Sequence, residues 1–102
     1  MSPEEFKQIV LEADPEADHF ESDKKGSAYT VWAEYEGLPY AADNRSNLGW
    51  AFQIDRYHKD ENDHMVGKIA EVLDKHLIPY QPLVDYDEET GYIRHIFDCE
   101  AL

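Results

Sequence analysis

The sequence predicts an α+β domain, an antiparallel sheet of four or five strands with two helices packed on one face. Two segments, 28–36 and 49–58, alternate apolar and polar residues with the period of a strand. Two others, 2–13 and the segment after His58, repeat apolar residues with the period of a helix. A chain of 102 residues fits one domain, 1–102, with one modest core.

The first predicted element is a helix over residues 2–13. Ser2 is a good N-cap, Pro3 suits the first helical position, and Glu5 completes a capping box. Apolar residues spaced i, i+3, i+4 and i+7 form one stripe, made of Phe6, Ile9, Val10 and Ala13. We expect this stripe to pack on the sheet. Residues 17–23 are predicted to form a short edge strand.

The two long strands are predicted to pair antiparallel. Their alternation places Thr30 and Trp32 on one side of the first strand, and Phe52 and Ile54 on one side of the second. The connector 37–48 is longer than a hairpin needs, and it contains apolar residues. Two interpretations stay open: the connector folds back on its own core, or its apolar residues contact a partner subunit.

A second helix and a hairpin are predicted to follow His58. Asp60 or Asn62 is expected to cap the helix, and Gly67 to allow a close approach to the sheet. The apolar stripe of this helix is Val66, Ile69, Ala70, Leu73 and Leu77. The hairpin comprises strands over 80–86 and 92–99, joined by the loop 87–91. Pro82 cannot donate a ladder hydrogen bond, which predicts an edge position for the first of these strands.

Composition excludes several functions. The net charge of −14, without any cluster of Lys or Arg, argues against binding nucleic acid or an anionic membrane. The single cysteine, Cys99, cannot form an intrachain disulfide, and we interpret it as a small buried hydrophobe. The first residues have neither the basic start nor the apolar run of a signal peptide, so we expect synthesis and folding in a cytoplasm without secretion.

No pattern of catalytic or ligand-binding residues emerges. The run from His58 to His64 holds two histidines and three carboxylates, but its spacing matches no metal motif, and we interpret it as a solvated helix start. His95 and Cys99 share a strand side about 13 Å apart, too far for a catalytic pair. We therefore predict no enzyme, no catalytic residue, no metal and no cofactor.

Four segments of the chain resemble the tail-completion or tail-terminator proteins of long-tailed bacteriophages and prophages. They are Tyr29-Thr30-Val31, Tyr40-Ala41-Ala42-Asp43-Asn44, Phe52-Gln53-Ile54-Asp55-Arg56-Tyr57 with the following His58-Lys59-Asp60, and Tyr86-Asp87-Glu88-Glu89-Thr90-Gly91-Tyr92. The resemblance covers roughly residues 28–99. The chain departs from the family pattern in residues 2–27, where many relatives have a longer segment.

The resemblance implies structural work rather than chemistry. Such proteins form a hexameric ring that ends the tail tube, and the ring contacts the tube protein and the head-completion protein. A monomer in solution is compatible with assembly on the tube. We expect a virion protein of the tail or neck, assembled in the bacterial cytoplasm. The candidate subunit or partner interface is Tyr40, Asp43, Asn44, Arg45 and Trp50, although these residues could equally close the connector on its own sheet.

Two alternatives stay open. One is a small acidic α+β ligand-binding or regulatory domain, dimeric through sheet edges, which would have a concave pocket with converging polar groups. The other is an inhibitor or decoy with a strongly acidic surface, an interpretation that depends on charge alone.

Overall fold

The computed structural model describes residues 1–23, 26–35 and 50–101. Within these residues seven elements follow one another: α1 (Pro3–Ala13), β1 (Asp18–His19), β2 (Ala28–Tyr35), β3 (Trp50–His58), α2 (His64–Lys75), β4 (Tyr80–Tyr86) and β5 (Ile93–Ala101). The predicted α+β class and the predicted order of elements are confirmed. The connector 37–48 lies outside the described residues.

The five strands form one sheet in the order β1-β2-β3-β5-β4. The pairs β2–β3 and β4–β5 are antiparallel, as predicted, and β4 lies at an edge. An antiparallel pairing of β3 with β5, which the sequence did not specify, joins the two units. The prediction of a fully antiparallel sheet is wrong at β1, which pairs parallel to β2 and makes the sheet mixed. Phe20 follows β1 with a positive φ of 68° and redirects the chain, which limits this strand to two residues.

Helix α1 begins as predicted. The Ser2 hydroxyl accepts a hydrogen bond from the Glu5 amide, and the Glu5 carboxylate accepts one from the Ser2 amide. This reciprocal capping box satisfies two amides that the first turn leaves without helical partners. The entire predicted stripe, Phe6, Ile9, Val10 and Ala13, is buried.

The core lies between one face of the sheet and the two helices. It joins the stripe of α1 to even-numbered residues of β2 and β3, odd-numbered residues of β5 and the inner face of α2. Among the described residues, the buried apolar side chains besides those of α1 are Trp32, Phe52, Ile54, Ile69, Val72, Leu73, Ile78, Phe97 and Cys99. Phe6 stacks on Phe52 with ring centroids 4.1 Å apart, which anchors α1 over the centre of the sheet.

Helix α2 departs from its prediction in three places. Its N-cap is Asp63 rather than Asp60 or Asn62, and the Asp63 side chain makes no capping bond because its carboxylate binds Arg56. Leu77 was predicted to lie in the apolar stripe, but the helix ends at Lys75. The Leu77 backbone adopts a left-handed conformation, and its side chain is 88% exposed. Open space surrounds Gly67, so it does not serve a close approach.

Candidate assembly surface

The predicted interface residues are only partly visible. Four of them, Tyr40, Asp43, Asn44 and Arg45, lie outside the described residues, so their place at an interface with Trp50 stays a prediction. Trp50 is the first residue of β3 and is 36% exposed. It lies at the end of the ladder that pairs β3 with β5, opposite Ala101. A large aromatic side chain in this position offers apolar area next to the undescribed connector.

The sheet face opposite the helices holds a cluster of three tyrosines, Tyr29, Tyr57 and Tyr92. The register places Tyr29 of β2 directly opposite Tyr57 of β3, and their rings stack with centroids 4.6 Å apart. Tyr92 meets both rings edge-on, at 5.6 and 6.2 Å. Its hydroxyl also donates a hydrogen bond to the Gly26 carbonyl. This tyrosine cluster therefore joins β2, β3 and the start of β5.

Charged side chains border the tyrosine cluster. Lys59 lies 4.6 Å from the centre of the Tyr92 ring, a cation–π distance. Arg94 lies 5.7 Å from the Tyr57 ring and donates a 2.8 Å hydrogen bond to Asp55. Burial raises the pKa of both Tyr29 and Tyr57, so their hydroxyls stay protonated at neutral pH.

An open groove of about 590 Å³ runs along this cluster. Its lining combines aromatic, basic and acidic side chains, namely Tyr29, Tyr57, Lys59, Asp85, Asp87, Thr90, Tyr92 and Arg94. Arg94 is paired with Asp55, whereas the Lys59 ammonium over the Tyr92 ring keeps its charge at the border of the groove. The groove can hold a flat or extended group against the tyrosines.

A buried ion-pair network connects β3 to α2 on the other side of the sheet. Arg56, only 9% exposed, donates from Nε and Nη2 to the two carboxylate oxygens of Asp63, and from Nη1 to the Thr30 hydroxyl. Asp14 lies 3.5 Å from Nη1. Burial raises the pKa of Asp63, but hydrogen bonds and charge from Arg56 outweigh it, so the net pKa lies below its usual value. These bonds make the network structural.

The run 58–64 is only partly the solvated helix start that was predicted. Lys59 to Asn62 is exposed, but His58 is 2% exposed and Asp63 is ion-paired. His58 Nδ1 donates to the Asp60 carbonyl at 2.6 Å, and Nε2 is buried without a hydrogen-bond partner. The His58 ring stacks on His95 at 4.8 Å. Among residues 1–23, 26–35 and 50–101, no group of three or more His, Cys, Asp or Glu could hold a metal ion.

The Cys99 thiol is unsuited to nucleophilic chemistry. It is 1% exposed, and burial raises its pKa to about 12. A thiolate is the reactive form, so this thiol is inert at neutral pH. The interpretation of Cys99 as a buried hydrophobe is confirmed.

Sequence reasoning missed the exposed apolar surface of β4. Leu83 is 49% exposed, Val84 65% and Tyr86 59%. Leu83 lies on the face of the tyrosine cluster, whereas Val84 and Tyr86 lie on the helix-covered face beyond the helices. The available signal was an edge strand, marked by Pro82, with apolar residues on both sides rather than on one.

The chain matches no family model, no curated protein and no solved structure in the comparisons made. Within the part of the chain that the structure describes, neither helix has the length and apolar character to cross a membrane.

Proposed function

We propose that this chain is a non-enzymatic structural protein of phage tail assembly, which caps the tail tube as a ring and joins it to the head connector. The proposal extends the resemblance to tail-terminator proteins. It places the chain in the tail or neck of a virion assembled in the bacterial cytoplasm. Its partners would be further copies of itself, the tail tube protein and the head-completion protein.

The observation that best supports this proposal is the meeting of three of the resembling segments in the tyrosine cluster. Tyr29, Tyr57 and Tyr92 are 28 and 35 residues apart in the sequence, yet their rings are in contact. In addition, Arg56 donates to Thr30, which joins two of the same segments through the core. These residues of the resembling segments thus have structural roles, which we expect of a protein that acts through its fold and its assembly.

Surface chemistry agrees with a ring subunit. A ring needs head-to-tail contacts that close on rotation, and such contacts use apolar area at two different places on one subunit. Trp50 and Tyr35, 48% exposed, provide exposed aromatic area at one end of the central strands. The net charge of −14 favours a lumen through which DNA passes without adhering.

Deletion of the gene from the phage or prophage that carries it tests the proposal. We expect tails of irregular length without heads, and normal virions when the wild-type gene is supplied in trans. Complementation with Tyr40→Ala/Arg45→Ala should fail, whereas the exposed-helix control Lys7→Ala should succeed. Normal tails and heads after deletion would refute the proposal. Full complementation by the double variant would show that Tyr40 and Arg45 are not required at the interface.

The groove beside the tyrosine cluster favours the second candidate, a ligand-binding or regulatory domain. This function requires a bound small molecule. Native mass spectrometry of protein purified from its host would then show a mass above that of the polypeptide. This excess should disappear when the protein is denatured, and it should be absent from the Tyr57→Ala variant. If the wild-type chain shows only the mass of the polypeptide both before and after denaturation, this candidate is excluded.

A further inference from the structure

Within the part of the chain that the structure describes, no strand pairs with the outer edge of β4, and this edge offers main-chain hydrogen-bonding groups to another strand. The Glu100 amide donates to the Pro79 carbonyl, and the Asp87 amide donates to the Tyr92 carbonyl, each at 3.0 Å. These bonds extend the β4–β5 ladder at both ends, so odd-numbered residues of β4 direct their main-chain groups toward β5. The groups of the even-numbered residues therefore point away from the sheet, and these residues are Tyr80, Pro82, Val84 and Tyr86.

This edge is only partly protected against pairing with another strand. Pro82 removes one outward amide, and the Tyr86 amide donates a 3.0 Å hydrogen bond to the carboxylate of its neighbour Asp85. The outward amides of Tyr80 and Val84 remain without a partner among the described residues. The side chains of Leu83, Val84 and Tyr86 are all about half exposed or more. Unpaired main-chain groups specify an extended strand as the occupant, and exposed apolar side chains on both faces add area that such a strand would bury.

We propose that β4 pairs antiparallel with β4 of a second copy of this chain, about a two-fold axis at Leu83. This inference does not rest on the proposed function, because a two-fold pair does not supply the head-to-tail contacts of a ring. The pair is the form of the free chain in solution. It continues the sheet of one copy into the sheet of the other.

The register follows from the strand itself. With Leu83 facing Leu83 of the other copy, the seven residues of β4 overlap over their full length. Tyr80 then faces Tyr86, Gln81 faces Asp85, and Pro82 faces Val84. Each pair is chemically compatible, aromatic with aromatic, amide with carboxylate, and apolar with apolar. The outward amides of Tyr80 and Val84 meet carbonyls of the other copy, and each copy's Pro82 leaves one carbonyl without a donor. The Tyr86 amide, which donates to the Asp85 carboxylate in the single chain, exchanges that acceptor for the Tyr80 carbonyl of the other copy.

Charge selects the antiparallel arrangement. The hairpin is acidic at its tip, with Asp85, Asp87, Glu88 and Glu89. A parallel pair would bring both tips together in a chain that already carries a net charge of −14. In the antiparallel pair the tips lie at opposite ends. The two Asp85 residues are then four positions apart in register, about 13 Å along the strands, where salt screens their repulsion.

A charge exchange at the two-fold axis tests this pairing. Sedimentation velocity and native mass spectrometry of the wild-type chain should show a species with twice the 11.9 kDa chain mass. Leu83→Lys and Leu83→Glu each place two like charges face to face and should weaken the pair at least about tenfold. Mixing the two variants should restore a one-to-one heterodimer. The matched control is Phe20, 59% exposed after β1 at the opposite edge of the sheet, whose Lys and Glu variants should dimerise like the wild type.

Amide hydrogen exchange provides a readout that needs no variant. The amides of Tyr80 and Val84 should be protected at high protein concentration and exchange freely on dilution, whereas the Leu83 amide, bonded within the sheet, should be protected at both. A wild-type chain that stays monomeric at about 100 µM would overturn the proposal. So would the absence of a heterodimer from the mixed, folded variants, or equal weakening by the Phe20 variants.

Discussion

Arg56 holds Asp63 through two hydrogen bonds, 2.9 Å from Nε and 3.1 Å from Nη2, and so ties the middle of the sheet to the start of α2. The same guanidinium binds Thr30. Both charges of the pair are largely buried, with side chains 11% and 12% exposed. Removal of one partner would therefore leave the other charge desolvated without compensation.

Replacement of Arg56 should be strongly destabilising. We expect Arg56→Met to lower the free energy of unfolding by about 3–5 kcal/mol, because Asp63 and the nearby Asp14 lose their buried cation. The control is Arg94→Met, which removes a more exposed pair with Asp55 and should cost about 1 kcal/mol or less. Urea denaturation of both variants measures the difference. Equal losses would contradict the structural role of the network.

Acid should destabilise the fold in two stages. Burial lowers the pKa of His95, and nearby His58 lowers it further, while Asp63 acts in the opposite direction. The unfolded chain therefore binds a proton more readily at this residue, and stability falls as the pH drops below about 6.5. The Asp63 pKa is also lowered, so its contribution is present above about pH 4 and disappears as the pH falls through the folded value.

Urea unfolding midpoints between pH 8 and pH 3 separate these stages. His95→Gln should flatten the dependence that begins below about pH 6.5 and leave the loss below about pH 4 unchanged. An unaltered slope in the upper range would mean that His95 does not contribute there.

Two glycines should respond oppositely to alanine. Gly67 lies inside α2, and an added Cβ would meet no atom within 4 Å. Gly67→Ala should therefore raise the free energy of unfolding by about 0.5–1 kcal/mol through helix propensity. Gly91 has a φ of +80°, so Gly91→Ala should lower it by about 1 kcal/mol. Destabilisation by Gly67→Ala would show that this helix face is not open.

The thiol of Cys99 should be inert in the folded chain. Its burial and its pKa of about 12 predict negligible reaction with an aromatic disulfide reagent at pH 8. Rapid reaction should appear only in denaturant, which exposes the thiol. Fast labelling of the native protein would contradict the burial of this residue.

Local patterns predicted most of the fold. The capping box of Ser2 and Glu5 depends on residues three apart, and strand alternation needs only neighbouring side chains, so both could be inferred from sequence. The errors arose where a distant residue decides the outcome. Asp63 occupies the N-cap position of α2, where Asp60 or Asn62 was predicted, and its carboxylate binds Arg56. Leu77 fits the helical period, but the chain leaves the helix after Lys75.

The candidate site was less predictable because it depends on register. Tyr29 and Tyr57 were each identified by resemblance, but only the pairing of β2 with β3 places them face to face. The length of the connector does not determine that register. The exposed apolar residues of β4 were missed because alternation predicts one buried face, whereas this part of the hairpin extends beyond both helices.

Localisation of the chain on purified virions tests the central claim most directly. A gold-labelled affinity tag on the chain, imaged by electron microscopy, should mark a single position at the junction of head and tail. Label along the tail or on the head, or virions that lack the chain altogether, would contradict a role in ending the tail tube.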